Sequence, residues 1–337
     1  MKAVAYYHSL PIQDPLALQD IELPEPLAGP RDLLVEVKAI SVNPVDTKVR
    51  ENVQPDAGTA KVLGWDVAGV VKAVGSDVSL FKVGDKVFYA GSIARAGANS
   101  ERHVVDERIV GHMPKSLGFA EAAALPLTAI TAWELLFERL AIAQGQTDLQ
   151  QSLLIVGAAG GVGSILTQLA SQLTALKVIG SASRPDTQAW VRELGADVIV
   201  DHSQPLSAEL KRQGIDTVTH VASLTQTDQH LDQLVEALAP QGKLALIDDP
   251  KALDITKLKR KSLSLHWEFM YTRSLFQTQD MIEQHHLLNR VAELIDAGTL
   301  RTTVGEHFGA INASNLRRAH ALLESGKAKG KIVLEGF

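Results

Sequence analysis

Residues 153–163 read LLIVGAAGGVG, and the largely apolar stretch Ser164–Leu173 follows them without a break. Four apolar residues before a glycine predict a short buried strand, and the glycines predict a tight turn that leads into a helix. A glycine-rich turn of this kind leaves unpaired backbone N–H groups at the helix N-terminus, where they attract an anion. The order strand, turn, helix therefore predicts a dinucleotide-binding α/β unit.

The glycines of this turn have different predicted roles. Gly157 allows the tight turn, and Gly163 allows the helix to pack closely on the strand. Gly160 and Gly161 let the backbone approach a pyrophosphate. The alternative is a glycine-rich turn needed only for packing, but the surrounding strand and helix favour binding. The cofactor-binding residues predicted in this turn are Gly157, Gly160, Gly161, Val162 and Gly163.

Strand-like and helical sequences alternate after Ser152, whereas the chain before Phe119 consists largely of short β-branched runs separated by prolines. The alternation predicts an α/β fold with a doubly wound parallel sheet and right-handed crossovers. Eight of the 13 prolines fall by Pro114, between short β-branched runs, which predicts a mostly antiparallel β domain there. The predicted strands of the parallel sheet are Leu153–Val156, Lys177–Ala182, Val198–Val200, Thr217–Ala222, Lys243–Ile247 and Leu263–Trp267.

The end of the second predicted strand decides between the two nicotinamide coenzymes. An acidic residue there would bind the adenosine ribose hydroxyls of NAD, but this strand leads into Ser183 and Arg184, and no carboxylate occurs before Asp186. Arg184 can pair with a 2′-phosphate through two hydrogen bonds, and Ser183 can donate to it. The sequence therefore predicts NADPH rather than NADH. The alternative is that Arg184 is a solvated residue at a helix start.

Composition excludes several classes of function. The chain has 337 residues, a formal net charge of −6 and no cysteine. Nucleic-acid binding is not expected, and disulfides, thiolate catalysis and cysteine-bound zinc are excluded. We expect a cytoplasmic protein because the N-terminus lacks an uninterrupted apolar signal, and no membrane span because glycines interrupt the uncharged run Leu149–Leu176. The adjacent His285 and His286 are predicted to be surface residues.

Four motifs occur in order along the chain: GWDVAGVV at 64–71, FKVGDKV at 81–87, the glycine turn at 157–163 and LGAD at 194–197. Together they resemble the medium-chain dehydrogenase/reductase superfamily over nearly the full length. The resemblance implies a GroES-like β domain formed by residues 1–122 and 268–337, and a Rossmann domain formed by residues 123–267. It also implies a homodimer paired through the Rossmann sheet, and a position near the nicotinamide for Thr131.

The resemblance identifies metal ligands that this sequence lacks. Zinc alcohol dehydrogenases of the superfamily bind their catalytic metal through two cysteines and a histidine, and the matching positions here hold Asn43, Trp65 and Leu127. Asp46 and Asp66 remain, but carboxylates without imidazole or thiolate are poor zinc ligands. The chain is therefore similar to the zinc-free, quinone-oxidoreductase-like branch, which includes proteins called zinc-type alcohol dehydrogenase-like. No metal site is predicted.

Without a Lewis acid, the reaction must suit an acceptor that is already electrophilic. Quinones and α,β-unsaturated carbonyls meet this condition, so the expected function is NADPH-dependent hydride transfer to one of them. Asn43 is the candidate for a polar contact to the substrate carbonyl or the nicotinamide, with an Asx turn before Pro44 as the alternative. Asp46 is the candidate that orients Asn43 or relays a proton. The predicted substrate pocket consists of Trp65, Trp267, Phe269, Met270 and Tyr271, with plain packing or a dimer seam as the alternatives.

Two other functions are compatible with the sequence. One is a zinc-independent alcohol or aldehyde oxidoreductase, which the missing ligands disfavour. The other is a non-catalytic NADPH-binding protein that contacts RNA, for which the short basic segment Lys257–Lys261 is the only support. The expected partners are therefore a small electrophilic acceptor and a second copy of the chain.

Overall fold

The structure is a computed structural model that describes residues 1–145 and 150–337. The chain forms two compact units. The terminal unit consists of Met1–Ile130 and Tyr271–Phe337, and the central unit consists of Thr131–Met270. Relative to the predicted domains, residues 123–130 belong to the terminal unit and residues 268–270 to the central unit.

The described residues form sixteen strands and ten α-helices. The strands are β1 (Lys2–Tyr6), β2 (Gln19–Glu22), β3 (Asp32–Val42), β4 (Lys61–Val62), β5 (Val67–Val74), β6 (Lys86–Tyr89), β7 (Arg102–Asp106), β8 (Val110–His112), β9 (Ser152–Val156), β10 (Lys177–Ser181), β11 (Val198–Val200), β12 (Val218–Ser223), β13 (Leu238–Leu246), β14 (Ser264–Trp267), β15 (Val304–His307) and β16 (Lys331–Glu335). The helices are α1 (Pro44–Asn52), α2 (Phe119–Ala123), α3 (Pro126–Trp133), α4 (Gly161–Leu173), α5 (Pro185–Glu193), α6 (Leu206–Arg212), α7 (Thr227–Ala237), α8 (Thr272–Phe276), α9 (Glu283–Asp296) and α10 (Ala313–Glu324).

The central unit is built on a six-stranded sheet in the order β11-β10-β9-β12-β13-β14. Every neighbouring pair is parallel, which confirms the predicted doubly wound α/β fold. The apolar run at residues 153–156 is buried in β9 because helices cover both faces of such a sheet. The strand order reverses between β9 and β12, and ligands of open α/β sheets bind at the carboxyl ends of strands beside such a reversal.

The terminal unit contains a mostly antiparallel sheet in the order β15-β16-β3-β5-β6-β8, with β7 also paired to β3. A small antiparallel sheet in the order β2-β1-β4 accompanies it. The last strand, β16, runs antiparallel to β3 and pairs Ile332 with Val42. This pairing brings Lys331, near the end of the chain, beside the residues that follow β3.

One helical stretch, Phe119–Arg139, is long and apolar enough to cross a membrane by length and composition alone, and most of it is buried inside the protein. Its last six residues, Glu134–Arg139, form a π-helix. The uncharged run Leu149–Leu176 contains β9 and α4 rather than one continuous helix. Leu149 itself lies outside the described residues.

The prediction for the adjacent histidines was wrong for His285, which is buried on α9. Its Nδ1 lies 2.6 Å from the carbonyl oxygen of Val110, and its Nε2 lies 2.9 Å from Asn289 Nδ2. His286 is exposed as predicted. Neighbouring positions on a helix point about 100° apart, so one histidine faces the sheet while the other faces solvent.

Candidate functional site

The glycine turn lies at the carboxyl end of β9 and leads directly into α4. Gly157 has a φ of +81°, a conformation that residues with a Cβ rarely adopt. A Cβ on Gly163 would lie 2.4 Å from the Gly157 carbonyl oxygen, so close packing of the helix on the strand requires glycine there. A Cβ on Gly160 would have its nearest neighbour at 3.5 Å, so no contact within the protein requires that glycine. The space beside Gly160 is open to a ligand.

The first turn of α4 presents backbone N–H groups to this space. Its N-cap residue is Gly160, which offers no side-chain oxygen to the helix. Gly160, Gly161 and Val162 are each partly exposed. A partly exposed helix N-terminus at the carboxyl edge of a parallel sheet binds anions through its N–H groups and its positive dipole end. The residues present therefore fit the pyrophosphate of a dinucleotide.

The end of β10 lies next to the glycine turn. Ser181 closes the strand, and its Oγ accepts a hydrogen bond from the Gly157 N–H at 3.0 Å. Arg184 is the N-cap residue of α5, and its side chain is 42% exposed, with its Nε 3.4 Å from Asp186 Oδ1. Ser183 is partly exposed. The two residues predicted to bind a 2′-phosphate are thus adjacent at the strand end, beside the turn predicted to bind the pyrophosphate.

A buried polar cluster occupies the terminal unit around the carboxylate of Asp66. Asp66 Oδ2 accepts hydrogen bonds from Ser41 Oγ and Asn43 Nδ2, both at 2.8 Å. Lys331 Nζ lies 3.0 Å from the same oxygen, and the backbone N–H of Leu127 donates to Oδ1 at 2.7 Å. We call Ser41, Asn43, Asp66 and Lys331 the Asp66 cluster. Its single ammonium group balances the charge of the Asp66 carboxylate away from water.

Both ends of the Asn43 side-chain amide are engaged in this cluster. Lys331 Nζ donates to Asn43 Oδ1, while Asn43 Nδ2 donates to Asp66. Asn43 is only 1% exposed. The amide is therefore held in one orientation by a cation on one side and a carboxylate on the other. Its contact with a substrate or nicotinamide stays a prediction.

Asp46 connects the first turn of α1 to the segment between β4 and β5 that contains Gly64. One carboxylate oxygen accepts from the backbone N–H of Asn43 at 2.7 Å, and the other accepts from the N–H of Gly64 at 2.9 Å. Burial raises the pKa of Asp46 to about 7, with a further increase from Asp66, while the two backbone hydrogen bonds and Lys331 oppose the rise. These contacts fix the backbone of Asn43, which is compatible with the predicted orienting role of Asp46.

The residues predicted to line the substrate pocket have different environments. Trp65 and Tyr271 are buried in the terminal unit and pack edge to face, with ring centroids 6.5 Å apart. In the central unit, Trp267 and Phe269 are 51% and 48% exposed, whereas Met270 is buried. The structure thus brings Trp65 and Tyr271 together, and the pocket itself stays a prediction.

Thr131, predicted to lie near the nicotinamide, is a buried residue of α3. It begins the central unit, two residues before that helix ends. Its contact with a coenzyme also stays a prediction.

The buried ionic groups that were not identified from the sequence include two that bear on the site. One is Lys331, at the start of β16. The other is Glu268, whose Oε2 accepts a hydrogen bond from Arg139 Nε at 2.8 Å. Burial raises the pKa of Glu268, and the neighbouring carboxyl group of Glu134 raises it further. No local pattern distinguishes these residues from surface lysines and glutamates, because their partners are remote in sequence.

The three positions matched to zinc ligands make other contacts in this chain. Asn43 belongs to the Asp66 cluster, the indole N–H of Trp65 donates to the Ser92 carbonyl oxygen at 3.3 Å, and Leu127 contributes a backbone N–H. Within residues 1–145 and 150–337, no group of three or more His, Cys, Asp or Glu side chains is arranged to hold a metal ion. The residues present therefore do not fit a catalytic zinc at this place.

The parallel sheet with its glycine turn, together with a separate antiparallel β unit, defines a two-domain dinucleotide-binding class of protein. Two protein families match different parts of this chain. A family described as the alcohol dehydrogenase GroES-like domain matches residues 29–133, and one described as zinc-binding dehydrogenase matches residues 194–334. The chain belongs to the medium-chain dehydrogenase/reductase superfamily and is an oxidoreductase of that type.

Similar proteins include members of the branch inferred from the sequence. A zinc-type alcohol dehydrogenase-like protein of Staphylococcus epidermidis is 37% identical over 99% of both chains, and a quinone oxidoreductase of Pseudomonas aeruginosa is 30% identical over 95% of both. A crystal structure from Rhizobium etli, provisionally called a zinc-dependent alcohol dehydrogenase, is 55% identical and covers 100% of this chain and 98% of its own, with a TM-score of 0.96. The Escherichia coli quinone oxidoreductase complexed with NADPH is 25% identical over 99% of this chain and 100% of its own, with a TM-score of 0.84.

Proposed function

We propose that this chain is an NADPH-dependent oxidoreductase that transfers hydride to a quinone or an α,β-unsaturated carbonyl without zinc. The observation that carries the proposal is the buried ammonium of Lys331, which donates to Asn43 at the position matched to a metal-binding cysteine. A metal ion bound there would meet a fixed positive charge and an amide already held at both ends. Without a Lewis acid, the substrate must be electrophilic before it binds.

The preference for NADPH rests on the end of β10. Arg184 and Ser183 are both partly exposed there. The chain has no carboxylate between Lys177 and Asp186 that would repel a 2′-phosphate. An arginine can form two charge-assisted hydrogen bonds with one phosphate group. The similar Escherichia coli quinone oxidoreductase was crystallised with NADPH, which supports the same coenzyme for this chain.

A bound NADPH supplies the hydride, and the chain supplies binding, orientation and hydrogen bonds. The glycine turn and the N-terminus of α4 hold the pyrophosphate, which fixes the position of the coenzyme along the sheet edge. Hydride addition to an enone or quinone leaves negative charge on the acceptor oxygen, and a fixed N–H donor stabilises that charge. Asn43 suits this role because its Nδ2 carries two N–H bonds and Lys331 polarises the amide through Oδ1.

Turnover measurements on metal-free protein test the proposal. The protein is dialysed against a chelator. NADPH oxidation is then followed with a panel of quinones and alkenals, and NADP+ reduction is followed with simple alcohols. We expect turnover with a quinone or an alkenal, no activity with simple alcohols and no loss of activity after chelation. Activity restricted to alcohols, or activity that appears only after zinc is added, would contradict the proposal.

The alternative of an RNA-contacting protein gains no support from the basic segment 257–261. Lys261 Nζ donates to the backbone carbonyls of Val235, Glu236 and Leu238 at 2.9, 2.8 and 2.6 Å, where it satisfies the end of α7. Lys257 forms an ion pair with Asp232. Two of the four cations in this segment, Lys257 and Lys261, therefore have partners within the protein.

A further inference from the structure

A buried ion pair connects α10 to the end of α1 in the terminal unit. Arg50, in the last turn of α1, has a fully buried side chain, and its Nη2 donates to Glu324 Oε1 at 2.6 Å. The same nitrogen lies 3.1 Å from Glu51 Oε1, and Nη1 donates to the carbonyl oxygen of Leu10. Arg50 therefore holds the last residue of α10 against α1.

His320 lies one helical turn before Glu324, on the same face of α10. It is 0% exposed, and among the residues that the structure describes neither its Nδ1 nor its Nε2 has a hydrogen-bond partner. A neutral imidazole has one N–H donor and one acceptor nitrogen, and burying both without partners costs free energy. An apolar side chain of similar size would avoid this cost, so stability alone does not explain a histidine here.

The charged and titratable groups around His320 oppose its protonation. Burial, and then the charge of Arg50 on α1, lower the pKa of His320 to about 3. On α10 itself, Glu324 already accepts from Arg50, and the guanidinium of Arg317 donates to backbone carbonyl oxygens of the segment before β2. On β1, the Tyr6 hydroxyl donates to carbonyl oxygens at the end of α1, and burial raises its pKa to about 12, so it stays neutral. Within this described set of groups, a protonated imidazole would meet the Arg50 cation and no carboxylate that Arg50 does not already engage.

We propose that His320 is an acid-sensitive latch between α1 and α10: the uncharged imidazole lets the two helices pack, and its protonation separates them locally. Asn43 is the N-cap residue of α1, and the chain leads from α10 into β16, which begins at Lys331. Separation therefore loosens the two segments that supply these members of the Asp66 cluster. The inference concerns the packing of the terminal unit and does not depend on the proposed coenzyme or substrate.

The direction follows from proton linkage. In the opened state, water surrounds His320 and its pKa returns to about 6.5, the ordinary value for histidine. The opened state therefore binds a proton that the packed state excludes, at every pH between the lowered pKa and about 6.5. The latch is fully closed above this range and weakens as pH falls through it. Each pH unit below about 6.5 favours opening by up to about tenfold, which gives about thirtyfold between about pH 7.5 and about pH 5.

Hydrogen–deuterium exchange of the whole protein, followed by mass spectrometry of its peptides, tests the inference. Exchange rates are divided by the intrinsic rates at each pH, so that the protection of each helix at about pH 7.5 and about pH 5 is compared directly. The variants are His320→Leu, which cannot be protonated, and His286→Leu as a matched control at an exposed histidine. We expect protection of α10 and α1 in the wild type and in His286→Leu to fall about thirtyfold at the lower pH.

His320→Leu should keep the protection of α10 and α1 within about threefold across this range, while α9 and the central unit behave as in the wild type. Wild-type protection of α10 that does not change with pH would overturn the inference. The same pH dependence in His320→Leu would also overturn it, because another group would then be responsible. An equal loss in α9 and α10 would show unfolding of the terminal unit instead of a local latch. Where His320→Leu fails to fold, the wild-type comparison of α10 with α9 decides alone.

Discussion

Replacing Lys331 with methionine removes the only cation of the Asp66 cluster while keeping a side chain of similar length. Lys331 and Asp66 side chains are 3% and 0% exposed, with Nζ and Oδ2 3.0 Å apart. Removing one partner of a buried ion pair typically costs about 3–5 kcal/mol because the other charge stays buried without compensation. Asp66 keeps three other hydrogen-bond donors, from Ser41, Asn43 and Leu127, so we expect a loss of about 3 kcal/mol.

Urea unfolding of four proteins measures this loss. The proteins are the wild type, Lys331→Met, the double variant Asp66→Asn/Lys331→Met, and Lys82→Met as a control at an exposed lysine. The control should stay within about 0.5 kcal/mol of the wild type. The double variant should be more stable than Lys331→Met because it contains no unpaired buried charge. A loss below about 1 kcal/mol in Lys331→Met would refute the view that this ammonium holds the cluster together.

Three further predictions concern the central unit. In steady-state assays, Arg184→Ala should raise the KM for NADPH by about tenfold or more, because a charge-assisted hydrogen bond of about 1.5–3 kcal/mol is lost. The KM for NADH should stay unchanged. Equal effects on both coenzymes would argue against a 2′-phosphate contact. Gly163→Ala should abolish tight NADPH binding and lower the melting temperature, because the alanine Cβ would lie 2.4 Å from the Gly157 carbonyl oxygen. An unchanged melting temperature would contradict this packing argument. Burial and Glu134 raise the pKa of Glu268 in the folded state. At pH values between the ordinary glutamate pKa and this raised pKa, the folded state holds a proton that the unfolded state has released. The free energy of unfolding therefore falls as pH rises through this range. Glu268→Gln should therefore stabilise the protein by about 1–3 kcal/mol more at about pH 8 than at about pH 5 in urea unfolding, and a pH-independent difference would contradict the assignment.

The fold of the central unit could be predicted from the sequence because its signals are local. The apolar run before Gly157 and the alternation that follows it identify β9 and the other five strands of the sheet, and the parallel order follows from the crossover helices. Val198–Val200 has the predicted bounds, whereas β13 begins at Leu238, five residues before the predicted strand. Strand ends depend on pairing with neighbours, which the local pattern does not contain.

The Asp66 cluster could be predicted only in part. Asn43, Asp46 and Asp66 lie within recognisable motifs, so their importance could be inferred. Lys331 could not be placed with them, because 265 residues separate it from Asp66 and only the pairing of β16 with β3 brings them together.

Transfer of deuterium from NADPH that carries deuterium at both C4 positions tests the central claim most directly. Chelator-treated protein, with its metal content measured, is incubated with the labelled coenzyme and a reactive enone, and the product is analysed by mass spectrometry. The account predicts one deuterium on the β-carbon of each reduced product molecule. It also predicts that chelator-treated and untreated protein reduce the enone at the same rate with the labelled coenzyme. A product without deuterium, or reduction that requires restored zinc, would contradict it.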